Sequence, residues 1–210
     1  MAAYRAEALV LGKTKLGETD LILTMLSSED TQIRAVAKGS RKPGSRLTGL
    51  AEPFSVLDLL LYQGKKLDTI TEAKALATYA GIREDYDRLM AASVALELAA
   101  QLTRDGDSIT RLYAMTRVYL DAICEAPNNA LTPLLTAYLL KALAMAGYSP
   151  ELELCTRDST LRDFFTSTFE EVKVGKSPDR MDALLRQTIV FTEKHLPTNL
   201  KTLTYYRKHR

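Results

Sequence analysis

Between Arg34 and Gly49 the chain reads RAVAKGSRKPGSRLTG. Arg34, Lys38, Arg41, Lys42 and Arg46 fall inside this stretch, with no carboxylate among them. The whole chain of 210 residues carries a formal net charge of only +2, so the local excess is the informative feature. Two chemistries suit it: a solvated basic turn, or a grip on the phosphates of a polyanion. On one face of a strand, Arg34 and Lys38 would stand roughly 13 Å apart, enough for each to meet a phosphate of the same backbone. Gly39, Gly44, Pro43 and Gly49 suggest a mobile loop whose backbone amides approach oxyanions. Each phosphate neutralised would release counterions, so affinity should fall steeply with salt. A second pair of cations, Lys65 and Lys66, follows Gly64. Tyr4, Phe54 and Tyr62 offer aromatic platforms, worth about 1–3 kcal/mol per base where a base stacks. Core packing is the competing role and is favoured for Phe54. Tyr62, beside the Lys65–Lys66 turn, is better placed to stack.

Other reactive residue types do not assemble into catalytic sets. His195 lies near a helix end, where a surface or capping role suits it, and His209 lies in a basic tail. No GxSxG, HExxH, Walker A or GxGxxG pattern occurs. Glu84 to Asp87 (EDYD) clusters carboxylates at a helix start, where they complement the dipole; a metal site is the alternative. Cys124 and Cys155 lack partner ligands at zinc spacing, and two distant cysteines suit a reducing compartment. The tail YYRKHR, with Tyr205, Tyr206, Arg207, Lys208 and Arg210, either extends a nucleic-acid surface or is a frayed terminus. No cofactor is expected.

The elements that must position these groups fall into two zones. With 46% hydrophobic and 26% charged residues, the chain can bury a core. Up to about residue 77 the period is that of strands. YRAEALVLG opens the series. TDLILTMLSS puts Leu21, Leu23 and Met25 on one face. TQIRAVAKG turns Ile33, Ala35 and Ala37 inward and Arg34, Val36 and Lys38 outward. PFSVLDLLLYQ separates Leu57, Leu59 and Leu61 from Phe54, Val56, Leu60 and Tyr62, and LDTITEAKA follows. Five short strands without an intervening helix suggest a small closed barrel, since closure removes exposed edges. From residue 78 the period is helical. IREDYDRLMAASVALELAAQLT forms the first helix. DSITRLYAMTRVYLDAIC, capped by Asp107 or Ser108, forms the second. The third starts at Thr132–Pro133, stops at Gly147 and is apolar all round, so it belongs at the centre of a bundle. Residues 148–176 read as irregular, with weak helical signal from Leu161 to Phe169. A fourth helix starts at Ser177–Pro178, and a short one closes the chain. The N-terminus has Arg5 and Glu7 where a signal peptide needs apolar residues, and no apolar run is long enough for a membrane. A soluble, cytoplasmic, nucleoid-associated protein is expected.

The segments ALVLGKTKLGETDLI, AKGSRKPGSRLTG and EPFSVLDLLLY, in this order within residues 1–62, resemble the start of the bacterial recombination mediator RecO family. GYSPELELC and HLPTNLKTL extend the resemblance through the helical zone. It implies an α+β protein: a five-stranded OB-type β-barrel at residues 1–77 followed by an α-helical domain at 78–210. It further implies binding of single- and double-stranded DNA, annealing of complementary strands, and help to RecA, with RecR, on strands coated by the single-stranded-DNA-binding protein. Lys38, Arg41, Lys42 and Arg46 would be the DNA grip, with Arg34, Tyr62, Lys65 and Lys66 as additions from the strand pattern. Many members carry four cysteines as a zinc module after the position of GYSPELELC. Here only Cys155 remains and the segment is short, which speaks against a zinc module. The alternative function is an interaction adaptor whose basic loop binds an acidic protein.

Overall fold

The computed structural model describes residues 2–175, 179–196 and 200–208, apart from the side chains of Asp105 and Arg207. The Ser177–Pro178 helix start and the tail residues His209 and Arg210 lie outside the described residues. The chain divides into two compact units, Met1–Tyr79 with Ala99–Tyr113, and Ala80–Leu98 with Ala114–Arg210.

The first unit is a closed barrel of five strands: β1 (Ala3–Leu16), β2 (Asp20–Ser27), β3 (Gln32–Ala37), β4 (Val56–Tyr62) and β5 (Asp68–Ala77). They pair in the order β1-β2-β3-β5-β4, and β4 returns to β1. All pairings are antiparallel except β3 with β5. This is the small closed barrel expected from the pattern, of the OB type that the resemblance implied, although β1 and β5 are longer than the short strands expected. Ala8, Val10, Leu21, Leu23, Met25, Ala35, Ala37, Leu57, Leu59, Leu61 and Ile70 fill the interior. They alternate along each strand because successive side chains leave opposite faces. Partner pairs traced from Thr14 through Ile22, Val36, Thr69 and Tyr62 return to β1 at Ala3 and not at Thr14. That stagger is the shear that lets so few strands close.

One end of the outer surface is covered. Leu9, Leu26 and Val56 form an outward row, yet all are fully buried. Hydrogen bonds bring residues 99–113 against this end. Gln32 donates to the Ala100 carbonyl at 2.8 Å, and Tyr113 donates its hydroxyl to Glu7 at 2.6 Å. The Asp30 carboxylate accepts the amides of Arg111 at 2.6 Å and Tyr113 at 2.8 Å. Asp30 thus caps the helix α2 (Leu112–Glu125), a role the sequence assigned to Asp107 or Ser108. Asp30 and Arg111 both have φ near +65° (63° and 70°), so each of them turns the chain at this junction and the helix starts only beyond Arg111. Asp30→Ala removes both acceptors and is expected to destabilise the protein by about 1–2 kcal/mol, read as a lowered urea midpoint.

In the second unit α3 (Asn128–Met145) is the central element, buried from Ala130 to Leu140 without interruption, and α4 (Ser159–Thr166), α5 (Phe169–Val174) and α6 (Met181–His195) pack against it. Tyr119 and Tyr138 pack with their rings tilted at 38° and 4.6 Å between centroids, with Phe169 edge-on to Tyr119 at 5.5 Å. The helix starts four residues before the expected Thr132 and runs through Pro133. Burial of Ala130, Leu131 and Thr132 outweighs the bond that Pro133 cannot donate. Gly147, at φ +86°, ends it as expected, with the Tyr148 amide returning to Leu143 at 3.0 Å. Residues 148–175 are more ordered than the sequence suggested. A π turn at Glu151–Cys155 leads into α4 and α5. Asp158 caps α4 through the Thr160 amide, and Thr168 with Glu171 forms a capping box on α5. The Lys141 ammonium binds the Phe165 carbonyl at the end of α4. Helices α1 (Tyr86–Leu102) and α7 (Lys201–Lys208) meet where Glu97 accepts the amides of Lys201 and Thr202, both at 2.8 Å.

Candidate nucleic-acid interface

The open end of the barrel carries the charges. On β3 the inward residues Ala35 and Ala37 force Arg34, Val36 and Lys38 outward, and both cations are exposed. Val36 is flanked by Ile22 on β2 and Thr69 on β5, and Thr69 pairs with Tyr62 on β4. A row of half-exposed side chains therefore crosses the surface from Ile22 to Tyr62. Tyr62 stands about 10 Å from Val36, two strand spacings away, and is 47% exposed. Of the three aromatic candidates it alone is presented to solvent. Tyr4 gives its hydroxyl to Asp68 and packs on the barrel core; burial first, then this bond, pushes its phenol well above the usual range. Phe54 is buried, at φ +70° just before β4.

The loop between β3 and β4 is a chain of tight turns. Gly39, at φ +65°, donates its amide to Asp20 Oδ1 at 2.8 Å. The amides of Ser40, Arg41 and Lys42 go to the carbonyls of Ala37, Thr19 and Gly39, and those of Ser45 and Thr48 to Lys42 and Ser45. Thr48 also gives its hydroxyl to the Ser40 carbonyl at 2.7 Å. The expectation that backbone amides approach oxyanions therefore does not hold for these residues, whose amides are taken by the loop and by Thr19 and Asp20. Their side chains remain for a ligand. Lys38, Arg41, Lys42 and Arg46 are exposed, and among the described residues none of them forms an ion pair. Arg41 differs from the others because its guanidinium donates to the Gly17 carbonyl at 3.1 Å. Lys42 lays its stem near Gly39.

Lys65 and Lys66 are exposed on the turn between β4 and β5. Asp68 shapes that turn by accepting the Gly64 amide at 3.0 Å. A Cβ on Gly64 would lie 1.9 Å from the Leu67 carbonyl oxygen, a clash with backbone. Gly64→Ala is therefore expected to open the turn and cost about 1–3 kcal/mol, seen as a lower melting temperature. Sequence reasoning passed over Lys15, exposed on the β1–β2 hairpin two residues before Gly17. The signal was present in KTKLGETD, a turn preceded by two lysines. Its neighbour Lys13 is paired with Glu52. Along β4 from Tyr62, around Leu60, the surface is charge-balanced by contrast: Arg5 pairs with Asp58 at 3.4 Å and Glu72 at 3.7 Å.

The remaining candidates have structural partners. Asp85 of the EDYD cluster accepts the Arg88 amide at 2.8 Å, a helix cap. His195 is packed against Tyr148 and Phe191 and lies 3.2 Å from Glu153. Glu153 also binds Lys194 at 2.7 Å, which first among its contacts lowers its pKa. Tyr206 is buried, and Tyr205 accepts the Tyr86 hydroxyl at 3.1 Å. Cys155 is buried and its carbonyl accepts two bonds from Arg162. Burial raises its thiol pKa, and no group of three or more His, Cys, Asp or Glu suited to a metal occurs among the described residues. The donor set does not fit a zinc module. No helix among the described residues is long and apolar enough to cross a membrane.

Two family models match the chain: Recombination protein O N terminal over residues 1–79, and Recombination protein O C terminal over residues 83–204. Curated relatives agree. A DNA repair protein RecO from Gloeobacter violaceus is 37% identical over 153 residues, 73% of this chain and 59% of the relative. One from a Nocardioides species is 42% identical over 159 residues, 75% of this chain and 65% of the relative. One from Frankia casuarinae is 40% identical over 161 residues, with the same two shares of 75% and 65%. The chain thus spans less than two thirds of the length of these relatives.

Proposed function

The chain belongs to the recombination protein O family, and from that membership we propose that it is a non-catalytic DNA-repair mediator whose barrel grips nucleic-acid backbone. The observation that carries the reading is one shared surface. Arg34 and Lys38 flank the Ile22–Val36–Thr69–Tyr62 row, and the loop bearing Lys42 and Arg46 follows directly from Lys38. In barrels of this topology the outer face of strands two and three, with the loops after strands one and four, is where oligonucleotides lie. The cations neutralise phosphates without reading sequence, and Tyr62 offers a face to one base. Binding of single and double strands, annealing of complementary strands, and loading of RecA together with RecR on strands coated by the single-stranded-DNA-binding protein complete the proposed role. Annealing follows where phosphate repulsion between two strands is neutralised while their bases stay open to pair.

Fluorescence polarisation with a labelled oligo-dT, titrated at several salt concentrations, tests this reading. Binding that weakens linearly in log K against log salt supports it. The adaptor alternative requires the oligonucleotide to be ignored while an acidic peptide binds. Turnover of DNA in the presence of Mg²⁺ would overturn the non-catalytic assignment.

A further inference from the structure

Asp20 is the carboxylate that touches the start of the basic loop, and its position is unusual for a patch meant to hold phosphates. Its Oδ1 accepts the Gly39 amide at 2.8 Å and the Thr19 hydroxyl at 2.8 Å. The chain on either side is tied across the same junction: the Arg41 amide reaches the Thr19 carbonyl at 2.9 Å, and the Arg41 guanidinium reaches Gly17 at 3.1 Å. Three bonds therefore fasten the β1–β2 turn to the first residues of the basic loop, and the Thr19 hydroxyl steadies the Asp20 carboxylate from its own side. Gly39, held in the left-handed region, is where the chain leaves β3. Without the Asp20 acceptor nothing in that list fixes its amide.

We propose that Asp20 is a positioning residue, and Arg41 its helper: together they clasp the basic loop to the β1–β2 turn, which sets Lys38 and Lys42 as one phosphate-binding patch. The clasp deepens the nucleic-acid reading above and rests on it for the ligand, though not for the clasp itself. It carries an electrostatic cost, because a carboxylate now sits among the cations that must meet phosphates. The Asp20 pKa records both sides of this arrangement: the Gly39 amide lowers it most, then Thr19, with smaller contributions from the charges of Lys38 and Lys42. Arg41 accordingly leaves the set of direct phosphate ligands and becomes part of the frame.

The charge and the acceptor can be separated. Asp20→Asn keeps an acceptor oxygen and removes the charge; Asp20→Ala removes both. The probe is labelled oligo-dT at low salt, together with amide hydrogen exchange at Gly39 in the DNA-free protein. Asp20→Asn is expected to bind about threefold tighter than the wild type, since one repulsive charge near the phosphates is gone. Asp20→Ala is expected to bind roughly fivefold more weakly than Asp20→Asn, with faster exchange at Gly39 in the alanine variant alone. Asp20→Leu, close to aspartate in shape but without an acceptor, replaces the alanine variant if that one melts early. Equal affinity for the Asn and Ala variants, with unchanged Gly39 exchange, overturns the proposal and leaves Asp20 a bystander charge. If the wild type ignores oligo-dT, the nucleic-acid reading fails, and the exchange measurement still decides for or against the clasp.

Discussion

Reversing Lys38, Lys42 and Arg46 together to Glu is expected to weaken single-strand binding roughly a hundredfold or more at moderate salt. The same variant should flatten the slope of log K against log salt by about 2, since each lost phosphate contact on a single strand removes about 0.7. Both effects have one origin. The three side chains are exposed and without ion-pair partners among the described residues, so their charge is available to a polyanion, offset only by the weak field of Asp20 on Lys38 and Lys42. The same exposure makes the change nearly silent for stability, within about half a kcal/mol in a melt. Arg41 is kept intact because its bond to Gly17 belongs to the frame of the loop, and its removal would mix lost contact with lost shape. A preserved slope in the triple variant would mean that the phosphates are held elsewhere.

Tyr138→Ala is expected to be the most destabilising single change in the second unit, by about 3–5 kcal/mol. The side chain is fully buried on α3, packed on Tyr119, and its hydroxyl exchanges a bond with Thr116 at 2.9 Å. Burial raises its phenol well beyond the ordinary range, so it remains neutral in any working buffer. Truncation leaves a cavity against Tyr119 and Phe169 and removes the bond to the Thr116 hydroxyl. Tyr138→Phe keeps the ring and is expected to lose only about 1–2 kcal/mol. Urea denaturation of the two variants, followed by far-UV circular dichroism, separates packing from hydrogen bonding. Equal losses would show that the ring contributes little.

Much of the barrel was legible because a strand's alternation is strict. Leu21, Leu23 and Met25, then Ala35 and Ala37, then Leu57, Leu59 and Leu61 all went to the interior where the pattern placed them. The same parity put Arg34, Lys38 and Tyr62 outside. What alternation cannot carry is which part of an outer face stays open. Val56 shares a face with Tyr62 by parity, yet it is buried at the end lined by residues 99–113, which are far away in sequence. The cap of α2 was missed for the same reason: local candidates Asp107 and Ser108 were available, but the acceptor is Asp30 from a turn about eighty positions earlier. The basic loop was found by composition, while its internal bonds were invisible there. Glycine and proline content says that a chain can turn; it does not say that each turn will use up its own amides. Lys15 was passed over because the sequence places it in a hairpin apart from the basic loop, and the tie between the two, Arg41 bonded to Gly17, is visible only in the fold.

The most direct test of the account maps the bound strand onto the barrel. In ¹⁵N-labelled protein titrated with oligo-dT at low salt, amide shifts are expected to concentrate at Ile22, Arg34, Val36, Lys38, Lys42, Tyr62, Lys65 and Thr69. Residues of the charge-balanced cluster around Leu60, Arg5, Asp58 and Glu72, should stay in place. Shifts centred on Arg5 and Glu72, with the Lys38 and Lys42 amides unmoved, would contradict it.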